Sequence, residues 1–163
     1  MTYYDDIAEG YNELHRAEQM KKLKIIKNEL NIIKKHKLLD IGCGTGFSFD
    51  VFDCKLFGID PSLELIKQIP VGKVITKVAS AEKLPFPYKF FDIIISVTAI
   101  QNFNDVDKAL EEIKRVSKPK VQIAISCLKK STKLKDIKQK ILNNFTLLKE
   151  IEEDKDLIWI LSI

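Results

Sequence analysis

Apolar residues recur at helical spacing over residues 16–35, at Met20, Leu23, Ile26, Leu30 and Ile33, and predict an N-terminal amphipathic helix. A short apolar run, Lys37 to Ile41, then leads straight into glycines and reads as a buried strand feeding a loop. Further strands are expected at Lys55–Ile59, Val74–Val78, Phe91–Val97 and Val121–Cys127. Helical stretches fall at Pro61–Gln68, with Pro61 suited to a first turn, at Asp105–Ser117 and at Thr132–Asn143. Strands alternating with helices predict an α/β fold, an open parallel sheet with helices on both faces. The end of the chain breaks this rhythm. Phe145–Ile151 and Leu157–Ile163 are two strands joined by the charged turn Glu152-Glu153-Asp154-Lys155-Asp156, so they should pair antiparallel.

With 163 residues, 45% hydrophobic and 31% charged, the chain is sized for one core, and residues 1–163 read as a single domain. Residues 1–35 form its N-terminal helical segment and 36–163 its sheet-based core. No apolar run approaches the roughly 18–20 residues of a membrane helix, and Met1 to Gly10 is polar and acidic, unlike a secretory signal. Cys43, Cys54 and Cys127 show no paired or metal-ligand spacing, so no metal is expected and a reducing cytoplasmic setting is. The net charge of +4 is clustered. Lys21, Lys22, Lys24, Lys27, Lys34, Lys35 and Lys37 crowd one segment; Lys129, Lys130, Lys133, Lys135, Lys138 and Lys140 crowd another, with only Asp136 against them. Such runs usually form a solvated face; the sharper alternative is attraction to a polyanion such as RNA. With only Arg16 and Arg115 present, bidentate contacts to phosphate or guanine are disfavoured.

The chemistry concentrates in Leu38-Leu39-Asp40-Ile41-Gly42-Cys43-Gly44-Thr45-Gly46. A loop after the first strand of an open parallel sheet lies at the topological switch point, where ligands bind. Its spacing is GxGxG; Phe47 occupies the place where a dinucleotide GxGxxG loop needs its last glycine, so a pyrophosphate cradle is disfavoured. Asp40 would repel a phosphate and welcome an ammonium. Asp60 follows Gly42 by 18 residues, at the end of the second strand, near the ~20-residue offset of a ribose-binding acid. The implied ligand has a ribose and a positive end but no phosphate. A nicotinamide-dependent oxidoreductase is disfavoured by the same residues.

Four segments, in order, carry a resemblance: Tyr4-Asp5-Asp6-Ile7-Ala8-Glu9-Gly10-Tyr11, the DIGCGTG loop with the Gly58-Ile59-Asp60 acid, Ser80-Ala81-Glu82-Lys83-Leu84-Pro85-Phe86, and Phe91-Asp92-Ile93-Ile94. Over nearly its whole length the chain resembles class I S-adenosylmethionine-dependent methyltransferases, the group sharing the type 11 methyltransferase domain. The resemblance implies a Rossmann-like, doubly wound, seven-stranded sheet, mostly parallel with an antiparallel C-terminal strand, and S-adenosyl-L-methionine as cofactor. It places Gly42, Cys43, Gly44 and Gly46 along the methionine part, Asp40 near its amino group and Asp60 on the ribose hydroxyls. Ser80, Ala81 and Glu82 would lie against the adenine, with Leu84 packing nearby. Thr98 would face the methyl group, and Tyr4 or Tyr11 would close over the sulfonium, which a π-face stabilises.

The chain also departs from that pattern. Ser80 stands where relatives commonly carry Asp, the first crossover has room for about two helical turns at most, and Gln101-Asn102-Phe103 follows the fourth strand where histidine is common. Ser96–Asn104 holds neither an Asn-Pro-Pro-Tyr motif nor a cysteine, which argues against amino-nitrogen and cytosine-C5 chemistry on a base. Asn102 is the candidate catalytic residue, as a holder of the acceptor, although it equally suits a turn. Without a large insertion to form a lid, the expected acceptor is large, RNA or protein rather than a small molecule, and a small zinc-binding activator subunit fits the relatives. The alternatives are a small-molecule methyltransferase with Met1–Leu14 as lid, and a non-catalytic cofactor-binding subunit. Bland roles are expected elsewhere: Cys43 a small buried residue, Trp159 core, His15 and His36 near the surface, Asp92 ordering the turn into the fourth strand.

Overall fold

The structure, a computed structural model, describes residues 8–163, with side chains from His15 onward. Helix α1 (Ala8–Glu29) precedes strand β1 (Lys37–Ile41), a 3-10 turn (Phe47–Asp50) and strand β2 (Lys55–Asp60). The chain continues through a one-turn helix α2 (Leu63–Ile66), β3 (Val74–Val78), β4 (Phe91–Ser96), a second 3-10 turn (Ile100–Asn102) and α3 (Val106–Val116). It closes with β5 (Ser117–Leu128), α4 (Leu134–Asn144), β6 (Thr146–Glu152) and β7 (Asp156–Ser162).

The strands form one seven-stranded sheet in the order β3-β2-β1-β4-β5-β7-β6. Pairings from β3 through β5 are parallel, and β7 runs antiparallel to both β5 and β6. The hairpin expected from the charged turn is therefore present, with β7 inserted between β5 and β6. Strand order reverses beside β1: the chain runs outward to β2 and β3, then returns to β4 on the other side of β1. The switch point lies between β1 and β4.

Each face of the sheet buries a core. On one side Leu39, Ile41, Ile59 and Ile94 pack under Ala109, Leu110, Ile113 and Val116 of α3 and Ile137 and Ile141 of α4. On the other, Leu38, Ile93 and Ile95 pack under Leu23, Ile26 and Leu30 from the N-terminal stripe, with Phe47, Val51 and Phe52. The crossover from β1 to β2 is only a 3-10 turn, as its length required. It is too short to cover this face, so α1 supplies the missing apolar layer.

Three expectations shift. The predicted helix over 16–35 spans Ala8–Glu29, and Ile33 lies beyond it, 42% exposed. Just beyond the helix Gln122 on β5 clasps Asn31: its Oε1 accepts the Asn31 N–H and its Nε2 donates to the Asn31 carbonyl, both at 2.7 Å. That side-chain amide pairs both main-chain polar groups of Asn31 outside the helix. β5 begins at Ser117, directly after α3, four residues before the apolar run at Val121. Pro119, which has no N–H for a ladder, sits where the β4–β5 register shifts. Lys22 is not part of a solvated face; it is 1% exposed and ion-paired with Asp156 at 2.9 Å. Among the described residues no helix is long and apolar enough to cross a membrane.

Trp159 is core, as expected, and its indole N–H reaches Glu150 Oε2 at 2.7 Å. Asp92 does more than order a turn. It accepts from the Lys37 N–H at 2.9 Å and from Lys118 Nζ at 3.0 Å, tying β4 to the starts of β1 and β5. The main-chain bond and Lys118 hold its carboxyl below the usual carboxylate range against the opposing effect of burial.

Candidate functional site

A cleft opens at the carboxyl ends of the parallel strands, at the switch point. Its empty space, including the part open to solvent, is about 660 Å³. Ile41 and Gly42 after β1, Asp60 and Pro61 after β2, Ser80 to Glu82 after β3, and Val97 to Ala99 after β4 form its walls. Leu65, Asn102, Phe103 and Asn104 complete it. Among the described residues the lining contains two carboxylates, Asp60 and Glu82, and no lysine or arginine.

The glycine loop is built by backbone geometry. Gly42, Gly44 and Gly46 all have positive φ, 79°, 54° and 86°. At Gly42, a Cβ would stand 2.6 Å from the Cβ of Ala99, so only glycine lets β1 and the β4 loop approach here. The loop is anchored from β2: Gly42 and Cys43 N–H both donate to the Ile59 carbonyl, and Gly44 N–H donates to Asp60 Oδ2 at 2.9 Å. The other oxygen of Asp60 accepts from the Ser62 N–H at 2.9 Å.

Asp40 lies beneath the loop and not in the cleft wall. Its Oδ2 accepts from Ser48 Oγ at 2.5 Å, and its Oδ1 is buried with no hydrogen-bond partner. Burial pushes its pKa up to about 7; the Ser48 hydroxyl opposes that rise and the nearby Asp60 charge adds to it. Cys43 is buried, and burial, with the Asp40 and Asp60 charges, holds its thiol well above its usual range. A thiol held in that form is a poor nucleophile.

Of the residues expected from sequence, Gly42, Asp60, Ser80, Ala81, Glu82, Thr98 and Asn102 converge on the cleft. Asp40, Cys43, Gly44 and Gly46 do not line it; they support the loop. Leu84 is buried in the core under α3. Tyr4, and the side chain of Tyr11, lie outside the described residues. Glu82 also has a structural duty, accepting the Asp105 N–H that opens α3, at 3.0 Å. Thr98 lines the cleft, and its hydroxyl is bonded to Asp156 Oδ2 at 2.7 Å and Lys22 Nζ at 3.0 Å. Ala99, Phe103, Asn104 and Leu65 were not foreseen. Phe103 and Asn104 flank Asn102 in sequence, a signal that was available; nothing local marks Ala99 or Leu65.

Phe47, in the position that excluded a dinucleotide loop, is buried in the second core. The element it starts is a four-residue 3-10 turn, which offers no helix N-terminus to a pyrophosphate.

The model of a family described as a methyltransferase domain matches residues 39–125, from β1 into β5. The chain belongs to this methyltransferase family. It is 35% identical over 139 residues to the ubiquinone/menaquinone biosynthesis C-methyltransferase UbiE of Pasteurella multocida, covering 74% of this chain and 50% of that protein. The chain spans about half the length of the curated relatives it matches, 46% and 50% for two of them. In fold it matches a SAM-dependent methyltransferase from Aquifex aeolicus, with a TM-score of 0.84 and 18% identity over 98% of both chains. It also matches a methyltransferase in complex with the Trm112 methyltransferase activator of Haloferax volcanii, with a TM-score of 0.81 and 15% identity over 99% of this chain and 98% of that one. The class I fold is thereby established, and the cofactor that goes with this family is S-adenosylmethionine.

Proposed function

We propose that the chain transfers a methyl group from S-adenosylmethionine, bound in the cleft, to an acceptor that approaches past Asn102. The observation that carries this reading is the charge of the wall: among the described residues, two carboxylates and no cation, with a glycine loop that no helix follows. A phosphate-bearing cofactor would be repelled there, whereas a sulfonium with an ammonium is attracted. When bound, the cofactor supplies an already activated methyl group. The chain's own residues bind, orient and shield. Asp60 would accept hydrogen bonds from the ribose hydroxyls, Ser80, Ala81 and Glu82 would lie along the adenine, and Gly42 would let the methionine part approach the backbone. Asp40, beneath the loop, has a buried, unpartnered oxygen that favours a nearby ammonium. Positioning supplies up to ~7–11 kcal/mol of such a transfer.

The cleft as formed by the described residues, with Asn102 and Asn104 exposed at it, favours a large acceptor, protein or RNA. The lysines of 129–140 favour RNA less than their number suggests. Lys129 is paired with Glu152, Lys138 with Glu150, and Lys140 with Asp107 and Asp136. A partner subunit is the second reading, supported by the end-to-end likeness to the Haloferax volcanii protein solved with its activator.

The deciding experiment has two parts. Calorimetry should show binding of S-adenosylmethionine and none of nicotinamide dinucleotide. Incubation with methyl-labelled cofactor and a fractionated cell extract should then transfer label to one macromolecular fraction. Binding without any transfer, with or without added extract protein, would leave a non-catalytic binding subunit.

A further inference from the structure

Thr98 is a β-branched residue held at φ 54°, in the left-handed region that such residues rarely enter. It sits just past the end of β4 in the wall of the cleft, and every polar atom it has is used. Its N–H donates to Ser126 Oγ at 2.9 Å, and its carbonyl accepts from Gln101 Nε2 at 2.9 Å. Its hydroxyl donates to Asp156 Oδ2 at 2.7 Å and accepts from Lys22 Nζ at 3.0 Å. Ser126 donates to that same Asp156 oxygen at 2.7 Å, and Lys22 reaches the other at 2.9 Å. The participants come from α1, the end of β4, β5 and the start of β7. Lys22 and Asp156 are at most 1% exposed.

Replacing such a buried ion pair with apolar residues often leaves a protein as stable or more so, so stability alone does not account for this one. What the pair does uniquely is converge on one strained residue. Strain of this kind persists only where surroundings over-determine it, and it clusters at functional sites. The backbone direction set at Thr98 carries the chain into Ala99, which abuts the glycine loop, and on through Asn102 and Phe103 along the cleft.

We propose that Lys22, Ser126 and Asp156 are positioning residues that lock Thr98 in its left-handed conformation and so hold the Ala99–Phe103 turn in its cofactor-binding shape. Because Lys22 belongs to α1, docking of the N-terminal helix and binding of the cofactor are thermodynamically coupled. The proposal rests on the reading that the cleft takes S-adenosylmethionine.

The test replaces the pair as a unit, Lys22→Met with Asp156→Leu. The variant is expected to fold with a urea midpoint near or above that of the unaltered protein. Amide exchange over residues 98–103 in the cofactor-free variant should be at least about tenfold faster, while that of the β1 and β5 core stays unchanged. The dissociation constant for S-adenosylmethionine should rise about tenfold, and adding Thr98→Asn, which tolerates the left-handed region, should bring it back to within about threefold. Wild-type exchange and affinity in the folded double variant would overturn the proposal, as would failure of Asn to restore binding. If the double variant does not fold, Ser126→Ala reads the same two quantities, and no change in either overturns it. Absence of cofactor binding in the unaltered protein would instead defeat the reading of the cleft; the exchange measurement stands apart from it.

Discussion

The main-chain N–H of Gly44 donates to Asp60 Oδ2 at 2.9 Å, joining the loop after β1 to the acid at the end of β2. The carboxylate that would grip a ribose is thus also the clamp of the glycine loop. Asp60→Ala removes the acceptor of two N–H groups, those of Gly44 and Ser62, as well as the ligand contact. Affinity for S-adenosylmethionine should fall by roughly 10- to 150-fold, equivalent to ~1.5–3 kcal/mol. Stability should fall too, by ~1–3 kcal/mol. Calorimetry and urea unfolding measure the two losses, and unchanged affinity in a folded variant would remove Asp60 from the site.

Asp40 makes stability and binding depend on pH. Its folded pKa of about 7 lies above its ordinary value of 3.8. The folded state therefore holds the proton more tightly, so this group's contribution is full below about pH 4 and lost as pH rises through 7. Relative to Asp40→Asn, the unaltered protein should lose ~2–3 kcal/mol between pH 5 and pH 8. Urea midpoints at those two pH values test this. A cation in the cleft favours the ionised form, so cofactor affinity should rise between about pH 5.5 and pH 7, below the range where an α-amino group titrates, in the unaltered protein and stay flat in the Asn variant.

Gly42→Ala places a Cβ 2.6 Å from that of Ala99 at a backbone φ of 79°. The expected result is a loss of ~1–3 kcal/mol in stability and more than tenfold in cofactor affinity. Adding Ala99→Gly removes the collision but not the strain, so it should restore part of each. Full affinity in Gly42→Ala alone would show that the close approach is unimportant.

For RNA, the pairing pattern separates the lysines. Lys130 and Lys135 are exposed, and Lys133 reaches the Gln101 carbonyl beside the cleft at 3.3 Å. Reversing these three to Glu should lower the salt slope of RNA binding by roughly two to three, about one per lost phosphate contact. Reversing Lys138 and Lys140, which already face carboxylates, should leave the slope nearly unchanged. Fluorescence anisotropy between about 0.05 and 0.3 M salt measures both. No association at the lower salt would move the acceptor to a protein or a small molecule.

Much of this molecule was legible in its amino-acid order. Apolar runs and glycines marked β1, β4 and the loop between β1 and β2, because a strand buried on both faces and a backbone at positive φ each demand particular residue types locally. Asp60 was legible by its spacing from that loop, and Ser80, Ala81 and Glu82 through the resemblance that their segment carries. What tertiary structure alone decided was where the polar side chains found partners. Lys22 reads as one of a run of lysines, and only the return of the chain as β7, 134 residues later, makes it a buried ion with Asp156. The same pair engages the Thr98 hydroxyl, Gln122 clasps Asn31 just beyond α1, and Ser48 bonds Asp40 beneath the loop. Hydrophobic periodicity is a local property carried by each segment, whereas a buried charge or amide is satisfied by whichever distant group the fold brings within hydrogen-bond reach.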